Sequence, residues 1–498
     1  MTWEPGAAVR GERRWIAGIT LVALALRVFH LEHKSLNGGD EPFSFALAQR
    51  PLVEMFELFG FEANGTIYSI LLWPLVRISE AEWMLRLPAL AAGVLAVPVL
   101  WWAGRELVGP RAGLAAAALL ALNPMAVFHS QYARPFSLVV LFAGISFAAL
   151  SVALHEQRPR WWVLYVAATA LAAYANAVTA AILVPAHLLL VMSRRRDAMR
   201  TWLISLAGIG VALIPLAIGL AIARGRRDPL YWLEKPGLRD LDIAAQDFST
   251  GFSESKPLAA LTLLLLGVVA IWASRRTERW SLLAPPAVVA WGLLPVALLF
   301  LAAQVTPVFR SAYAIAALPG VLLLVAAMLD HLPRAAARAG LAALLAVALA
   351  GTVDQTRRQV DETWRSAAGW LEEKRRPGDR VLIDIASVSG AIGYYDEGLR
   401  APNGELAILE WEDNPFPREF VPYDDPGGYT SRSGPPPRAA VARLARGERR
   451  LFVFLAEYVE ALQGDVPNGE AMRWARRNCK VTERDEVDIG AYLITGCP

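Results

Sequence analysis

Cysteine is nearly absent from this chain: in 498 residues there are two, Cys479 and Cys497, both close to the C-terminus. Their spacing matches no zinc motif. They are open to two readings, a disulfide in an oxidising compartment or a pair of unbonded thiols. Phosphate-cradling signatures are missing too. There is no G-x-x-x-x-G-K-[ST], no dinucleotide fingerprint and no HExxH. No nucleophile elbow marks a serine hydrolase. These absences speak against a cytosolic nucleotide as donor. The 49 basic and 46 acidic residues nearly cancel to +3, which gives no support for a nucleic-acid partner. No repeats or low-complexity tracts occur beyond Ala/Leu-rich helices.

What the chain has in abundance is apolar length. It is 55% hydrophobic with a mean hydropathy of +0.37, too apolar for an ordinary soluble protein. About 20 apolar residues cross a bilayer. Eleven segments qualify, at 15–31, 84–104, 112–128, 135–154, 161–176, 178–192, 202–223, 258–273, 281–303, 311–330 and 337–353. Trp15, Trp101, Trp102, Trp161, Trp162, Trp202 and Trp280 fall near span ends, as an aromatic belt would. The basic N-terminus leads into 15–31 without a small-residue cleavage site, so the first helix reads as retained.

Thr66 to Ile78 (TIYSILLWPLVRI) decides the topology. It is short, holds Pro74 and ends in Arg77 before Ile78. As a re-entrant or interfacial helix, it leaves the basic loops GRELVGPR, HEQRPR, SRRRDAMR, SRRTER and HLPRAAAR on the side of Arg10, Arg13 and Arg14. As a span, it would put all five opposite. The positive-inside rule selects the first arrangement. The expected architecture is a polytopic α-helical membrane domain over 1–353, with a first outer loop at 32–83. A C-terminal extracytoplasmic α/β domain over 354–498 follows, with the N-terminus cytoplasmic. Within it, ETWRSAAGWLEEKRRPGD reads as a helix ending at Pro377-Gly378. RVLIDI, LFVFLAEY and AYLITG read as strands, a short helix starts at Ala439, and NPFPREFVPYDDPGGYTSRSGPPPR reads as loop.

This topology collects the unusual polar groups on the outer side. Asp40-Glu41 follows Gly38-Gly39 and precedes Pro42. It suits either a general base with a supporting carboxylate or a solvated helix cap. Arg27, deep in the first span, either pairs with a buried anion or snorkels to the interface. Arg86 has the same two readings. The turn FHSQYARPF holds His129, Gln131 and Arg134. Its arginine suits either a lipid phosphate, which guanidinium matches bidentately, or interfacial anchoring. Arg310 and the run Arg224, Arg226, Arg227 share that ambiguity, and the run reads more readily as a solvated loop edge.

The motifs Leu85-Arg86-Leu87-Pro88, the Arg111 to Pro124 segment, Ser130-Gln131-Tyr132-Ala133-Arg134, TPVFRSAYAIAALPG and ETWRSAAGWLEEKRRPGDRVLI run in one order. In that order they resemble the polytopic glycosyltransferases of the GT-C class. The nearest are the bacterial family 39 group, with its RgtA/B/C/D-like and protein-mannosyltransferase-like enzymes. The lipid A aminoarabinose transferases are more distant. The resemblance implies an inverting transfer from a polyprenyl-phosphate-linked sugar at the outer face of a bacterial inner membrane. The acceptor would be an envelope glycan, lipid or protein, among membrane lipids. The family's first-loop base corresponds to Asp40, with Glu41 in support. Its second-turn arginine corresponds to Arg134, with Arg86 and Arg310 in reserve for the phosphate. Arg27, His129, Gln131, Asn64, Tyr68, Asn176 and Tyr313 complete the expected substrate contacts.

The chain departs from the pattern at Asn64 to Ser69 in the first loop, at Tyr132, at Asn176, and at Ala312 before Tyr313. Two histidines and a glutamate are lost, and asparagine is a weak transition-metal ligand. The case for a divalent metal is weakened but stays open, and the sequence points to no other cofactor. Two rivals stand beside an enzyme. One is a transporter or flippase for a lipid-linked sugar, although few midplane charges and no inverted repeat are visible. The other is an inactive partner subunit.

Overall fold

The computed structural model describes the chain except residues 1–10, 33, 37–39, 54–65, 227–234, 252–255, 276–283, 359–362, 385–388, 398–419, 423–437, 448, 457–469 and 487–488. Two compact units divide it. The first comprises residues 1–31, 52–71 and 86–359, and the second 32–51, 72–85 and 360–498.

Helices build the first unit. In chain order they include α1 Glu12–Val28, then, past α2 Asp40–Gln49 of the second unit, α3 Thr66–Val76, α4 Glu82–Leu107, α5 Pro110–Leu122, α6 Pro124–Ser130 and α7 Phe136–Glu156. The unit boundary falls within both α3 and α4. Further helices follow at Pro159–Ala175, Thr179–Arg194, Met199–Ala212, Ile214–Arg226, Leu238–Thr250, Lys256–Ser274, Pro286–Ala302, Leu318–Asp330 and Arg334–Arg358. Each of the eleven apolar segments contains helix. By length and composition, five helices among the described residues can cross a membrane, or seven if each bent pair counts once. The 11-residue α3, about 16 Å long, is too short to cross about 30 Å of hydrocarbon.

Helix α7 is apolar on all sides and buried along nearly its whole length, which makes it the central pillar of the unit. Where helices cross most closely, glycine meets backbone: a Cβ on Gly320 would come within 2.5 Å of Gly292 N. A closed polar chain runs through the interior. Trp202 donates to the Tyr165 hydroxyl, which contacts His187, and His187 meets Ser146, itself 2.8 Å from Thr169 Oγ1. Thr169 returns its proton to the Tyr165 carbonyl. Every member is satisfied, as polar groups in an apolar bundle must be.

One break shapes the candidate site. Helices α5 and α6 meet at 60° around Asn123. Pro124 lacks an N–H and biases Asn123 toward extended backbone, so α5 stops. Asn123 restarts the helix as N-cap, accepting 3.0 Å from the Ala126 N–H. The last carbonyls of α5 are thereby left needing donors.

In the second unit a five-stranded sheet has the order β2-β1-β3-β5-β4, from β1 Arg380–Asp384, β2 Phe420–Pro422, β3 Leu451–Ala456, β4 Lys480–Glu486 and β5 Ile489–Thr495. β1 runs parallel to β2 and β3, while β5 runs antiparallel to β3 and β4. Trp364, Trp370, Leu371 and Ile392, from helices Thr363–Lys374 and Ser389–Tyr395, join one apolar cluster. Val441, Ala445, Met472 and Ala475, from helix Arg438–Leu444 and beyond and from helix Glu470–Asn478, join the other. Strand β4 and helix Glu470–Asn478 do not stand out in the sequence, because both are mainly polar. Strand β2 lies within the stretch read as loop. Cys479 and Cys497 are joined as a disulfide.

Candidate active site

The expected site residues divide between the units, and each set is described within its own. In the second unit Asp40 and Glu41 open α2. Carboxylates in a first turn are favoured by the helix dipole. Their exposures are opposite: Asp40 faces solvent, whereas Glu41 is 1% exposed. Ser44 tightens this turn by donating 3.1 Å to the Asp40 carbonyl.

The far end of α2 is clamped. Arg77 donates to the carbonyls of Ala48 (3.1 Å) and Arg50 (3.2 Å), while its guanidinium lies 3.8 Å over the Trp73 ring. The Trp73 indole also donates to the Arg50 carbonyl. A cation on the last carbonyls offsets the negative end of the dipole. Ahead of α2, the Tyr395 hydroxyl accepts 2.6 Å from the Leu36 N–H and donates to Glu82. Glu82 is also ion-paired with Arg365, which donates 3.1 Å to the Glu32 carbonyl. Glu82, Arg365 and Tyr395 thus fix the segment leading into Asp40. Sequence reasoning missed this triad, although Arg365 lies in the segment ETWRSAAGW.

In the first unit, Arg27 is fully buried and reaches neither a carboxylate nor the surface. Nη1 donates to the carbonyls of Ala121 (2.9 Å) and Ala23 (3.2 Å), Nη2 to Leu120 (3.3 Å) and Nε to Ser130 Oγ (3.1 Å). Its charge sits on the α5 carbonyls freed by the Asn123-Pro124 break, so a helix end takes the part expected of an anion. Gln131 performs the converse task. Its amide donates to the carbonyls of Phe29 (2.7 Å), Arg27 (3.0 Å) and Leu26 (3.4 Å), closing the end of α1. A cavity of about 10 Å³, lined by Arg27, His129 and Ser130 among others, adjoins this lock. It is too small for more than one water. Arg86, 1% exposed, donates 2.8 Å to the Leu31 carbonyl.

His129 is buried among the rings of Phe128, Tyr132 and Phe136. Arg134 is half-buried at the following turn. Phe136 stacks on Tyr313 at 6.3 Å between ring centroids. Arg310 is exposed beside Asp247, a carboxylate the sequence reading passed over. Asp247 is 8% exposed, and burial pushes its carboxyl up to about 6 against the pull of a Ser311 hydrogen bond and the Arg310 charge. Asn176 is spent on its own turn, accepting 3.3 Å from the Val178 N–H. Tyr68 is fully buried. Asn64 and Arg227 lie outside the described residues. Among the described residues, no three of His, Cys, Asp and Glu converge as a metal site would require.

Residues 66–220 match the family model of dolichyl-phosphate-mannose-protein mannosyltransferases. No curated protein sequence matches. Among solved structures, the chain is similar to ArnT from Cupriavidus metallidurans in its apo state. Identity is 14% over 97% of this chain and 98% of that one, with a TM-score of 0.58. It is also similar to the same protein bound to undecaprenyl phosphate, at 15% identity over 96% and 98%, TM-score 0.55. A third similarity is to the oligosaccharyltransferase AglB from Archaeoglobus fulgidus, in complex with an inhibitory peptide and a dolichol-phosphate. Here identity is 14% over 97% and 74%, TM-score 0.50. These likenesses show a fold shared with ArnT and the oligosaccharyltransferase, and over residues 66–220 a resemblance to the mannosyltransferase family model.

Proposed function

We propose that this protein is an integral-membrane glycosyltransferase that moves a sugar from a polyprenyl-phosphate donor to an envelope acceptor, with Asp40 as general base. The observation that carries the reading is the solvent-facing Asp40 at the start of a helix clamped at both ends, in a chain with the GT-C fold. A base must be reachable by its acceptor and must hold still. Two neighbours of known structure are complexes with undecaprenyl phosphate and dolichol-phosphate, which supports a lipid-phosphate donor here.

In this mechanism Asp40 takes the acceptor hydroxyl proton as the oxygen attacks the anomeric carbon. The bond to phosphate breaks with inversion, and the polyprenyl phosphate departs with the electron pair. No strong general acid is needed, because the phosphate is a competent leaving group. Cations must meet the charge developing on it. Arg134 is the leading candidate and Arg310 the reserve, while Arg27, Arg86 and Gln131 serve by fixing helix and loop ends. Glu41, buried beside Asp40, orients the first turn. The reaction is placed on the extracytoplasmic face of a bacterial inner membrane, with the N-terminus in the cytoplasm.

The test is in vitro transfer by purified protein in nanodiscs, with a panel of polyprenyl-phosphate sugars and envelope acceptors. Asp40→Asn should reduce transfer by about 10²–10⁴-fold, the usual worth of a positioned base. Expression should stay at the wild-type level, and the loss of stability should not exceed the ~0.3–1 kcal/mol that a first-turn carboxylate contributes. Near-normal transfer by the variant would remove Asp40 from the role.

A further inference from the structure

In the second unit two basic turns meet. KRRPGDR (374–380) and RGERR (446–450) carry seven basic residues against two acidic ones. Each turn leads into a strand, and β1 and β3 are parallel neighbours with Arg380 opposite Leu451. Parallel pairing brings the two entering turns to the same end of the sheet. The Arg380 N–H joins them through the Arg450 carbonyl at 3.0 Å. Between them lies an open cleft of about 430 Å³, lined by Arg376, Pro377, Gly378, Asp379, Arg446, Arg449 and Arg450.

The cleft is built and held. Among the described residues its one acidic lining residue is Asp379, which is buried and engaged inward, accepting 2.8 Å from the Arg376 N–H and pairing with Arg450 Nε at 3.2 Å. Arg450 also donates to the Lys374 carbonyl, which fixes its guanidinium in the wall. Arg376, Arg446 and Arg449 remain exposed. Both walls turn at glycines in left-handed backbone, Gly378 at φ +87° and Gly447 at φ +76°. The second turn is pinned by bridges from Arg446 and Gly447 to Cys497, whose sulfur is bonded to Cys479. Clustered like charges repel, and a counter-anion relieves that repulsion.

We propose that this cleft binds an acidic glycan, an oligosaccharide carrying carboxylate or phosphate groups. Planar guanidiniums on two facing turns can grip successive anionic groups bidentately, and the volume suits a short stretch of oligosaccharide. Among the described residues the lining has no apolar side chain besides Pro377, so it lacks the core that a folded protein partner would need. A membrane headgroup fits less well, because one lipid phosphate answers one guanidinium whereas exposed arginines stand on both turns. The proposal concerns binding alone and stands whether or not the chain transfers sugar.

The experiment uses the full chain in phosphatidylcholine nanodiscs and a fluorescent oligogalacturonate as probe. The comparison ligands are a neutral maltooligosaccharide of equal length, a Glu-rich peptide and nanodiscs containing phosphatidylglycerol. Oligogalacturonate should bind, more weakly as salt rises, and the maltooligosaccharide should not. The triple variant Arg376→Gln/Arg446→Gln/Arg449→Gln should lose at least tenfold in affinity. The charge-matched control Arg473→Gln/Arg477→Gln/Lys480→Gln, on helix Glu470–Asn478 and strand β4, should lose less than twofold. The proposal is overturned if the triple variant retains affinity, if the control loses as much, or if the peptide or the anionic lipid binds at this cleft in preference to the uronate.

Discussion

The Gln131 side-chain amide donates 3.0 Å to the Arg27 carbonyl, while the Arg27 guanidinium donates to the hydroxyl of Ser130, the residue before Gln131. Each residue thereby completes a helix end that the other's helix or turn approaches. Arg27 covers the end of α5, and Gln131 covers the end of α1. The Ser130-Gln131 pair at the end of α6 acquires a physical role before any substrate is considered. It fixes where the first apolar helix stops.

Replacing Arg27 should therefore act on folding. Arg27→Met strips donors from the Ala121 and Leu120 carbonyls, and a buried acceptor left unmet costs about 1–3 kcal/mol. Membrane yield and melting temperature in nanodiscs should fall sharply. A normal melting temperature with a weakened donor KM would instead mark Arg27 as a phosphate ligand.

Gly93 leaves room for this lock. A Cβ there would lie 1.9 Å from Ser130 Oγ and 3.2 Å from Arg27 Nε. Gly93→Ala should destabilise by about 1–3 kcal/mol through overpacking. Gly18, where a Cβ would meet nothing within 4 Å, provides the matched control. Thermal unfolding of Gly93→Ala and Gly18→Ala side by side checks this, and equal melting temperatures would refute it.

The Glu82–Arg365 pair should couple. Glu82 is 8% exposed and Arg365 about a third exposed, so the coupling is expected at about 1–2 kcal/mol, below that of a fully buried pair. A double-mutant cycle of Glu82→Gln and Arg365→Met, read by thermal unfolding, measures it. Additive losses would show that the ion pair contributes nothing to the hold on residues 32–36.

Asp247 should give a pH signature. Its folded-state value is raised from 3.8 to about 6, so the fold favours the protonated form. That contribution is complete below about pH 3.8 and is lost as pH rises through about 6. The wild type should be less stable at pH 7 than at pH 5 by about 1 kcal/mol, with a correspondingly lower melting temperature, and Asp247→Asn should flatten that difference. An unchanged slope in the variant would assign the pH dependence elsewhere.

Local patterns in the chain carried much of this structure. Apolar runs became helices, and RVLIDI and LFVFLAEY became adjacent strands, whereas 112–128, read as one span, breaks at Asn123-Pro124 with a 60° bend. Asp40-Glu41 was visible as a carboxylate pair, but neighbouring residues of the same chemistry gave no hint that one would be exposed and the other buried. Partnerships across long separations were illegible. Arg27 finds Ser130 103 positions away, Arg365 finds Glu82 across 283, and Leu36 finds Tyr395 across 359. The sequence by itself determined an apolar, multi-helix chain, its likeness to lipid-linked sugar transferases, and which side chains carry charge, because those follow from composition and short-range pattern. Tertiary structure alone decided what each charge does. A buried arginine takes its role from whichever acceptors packing brings to it, and here packing brought helix ends to Arg27 and Arg77 and a second basic turn to Arg376.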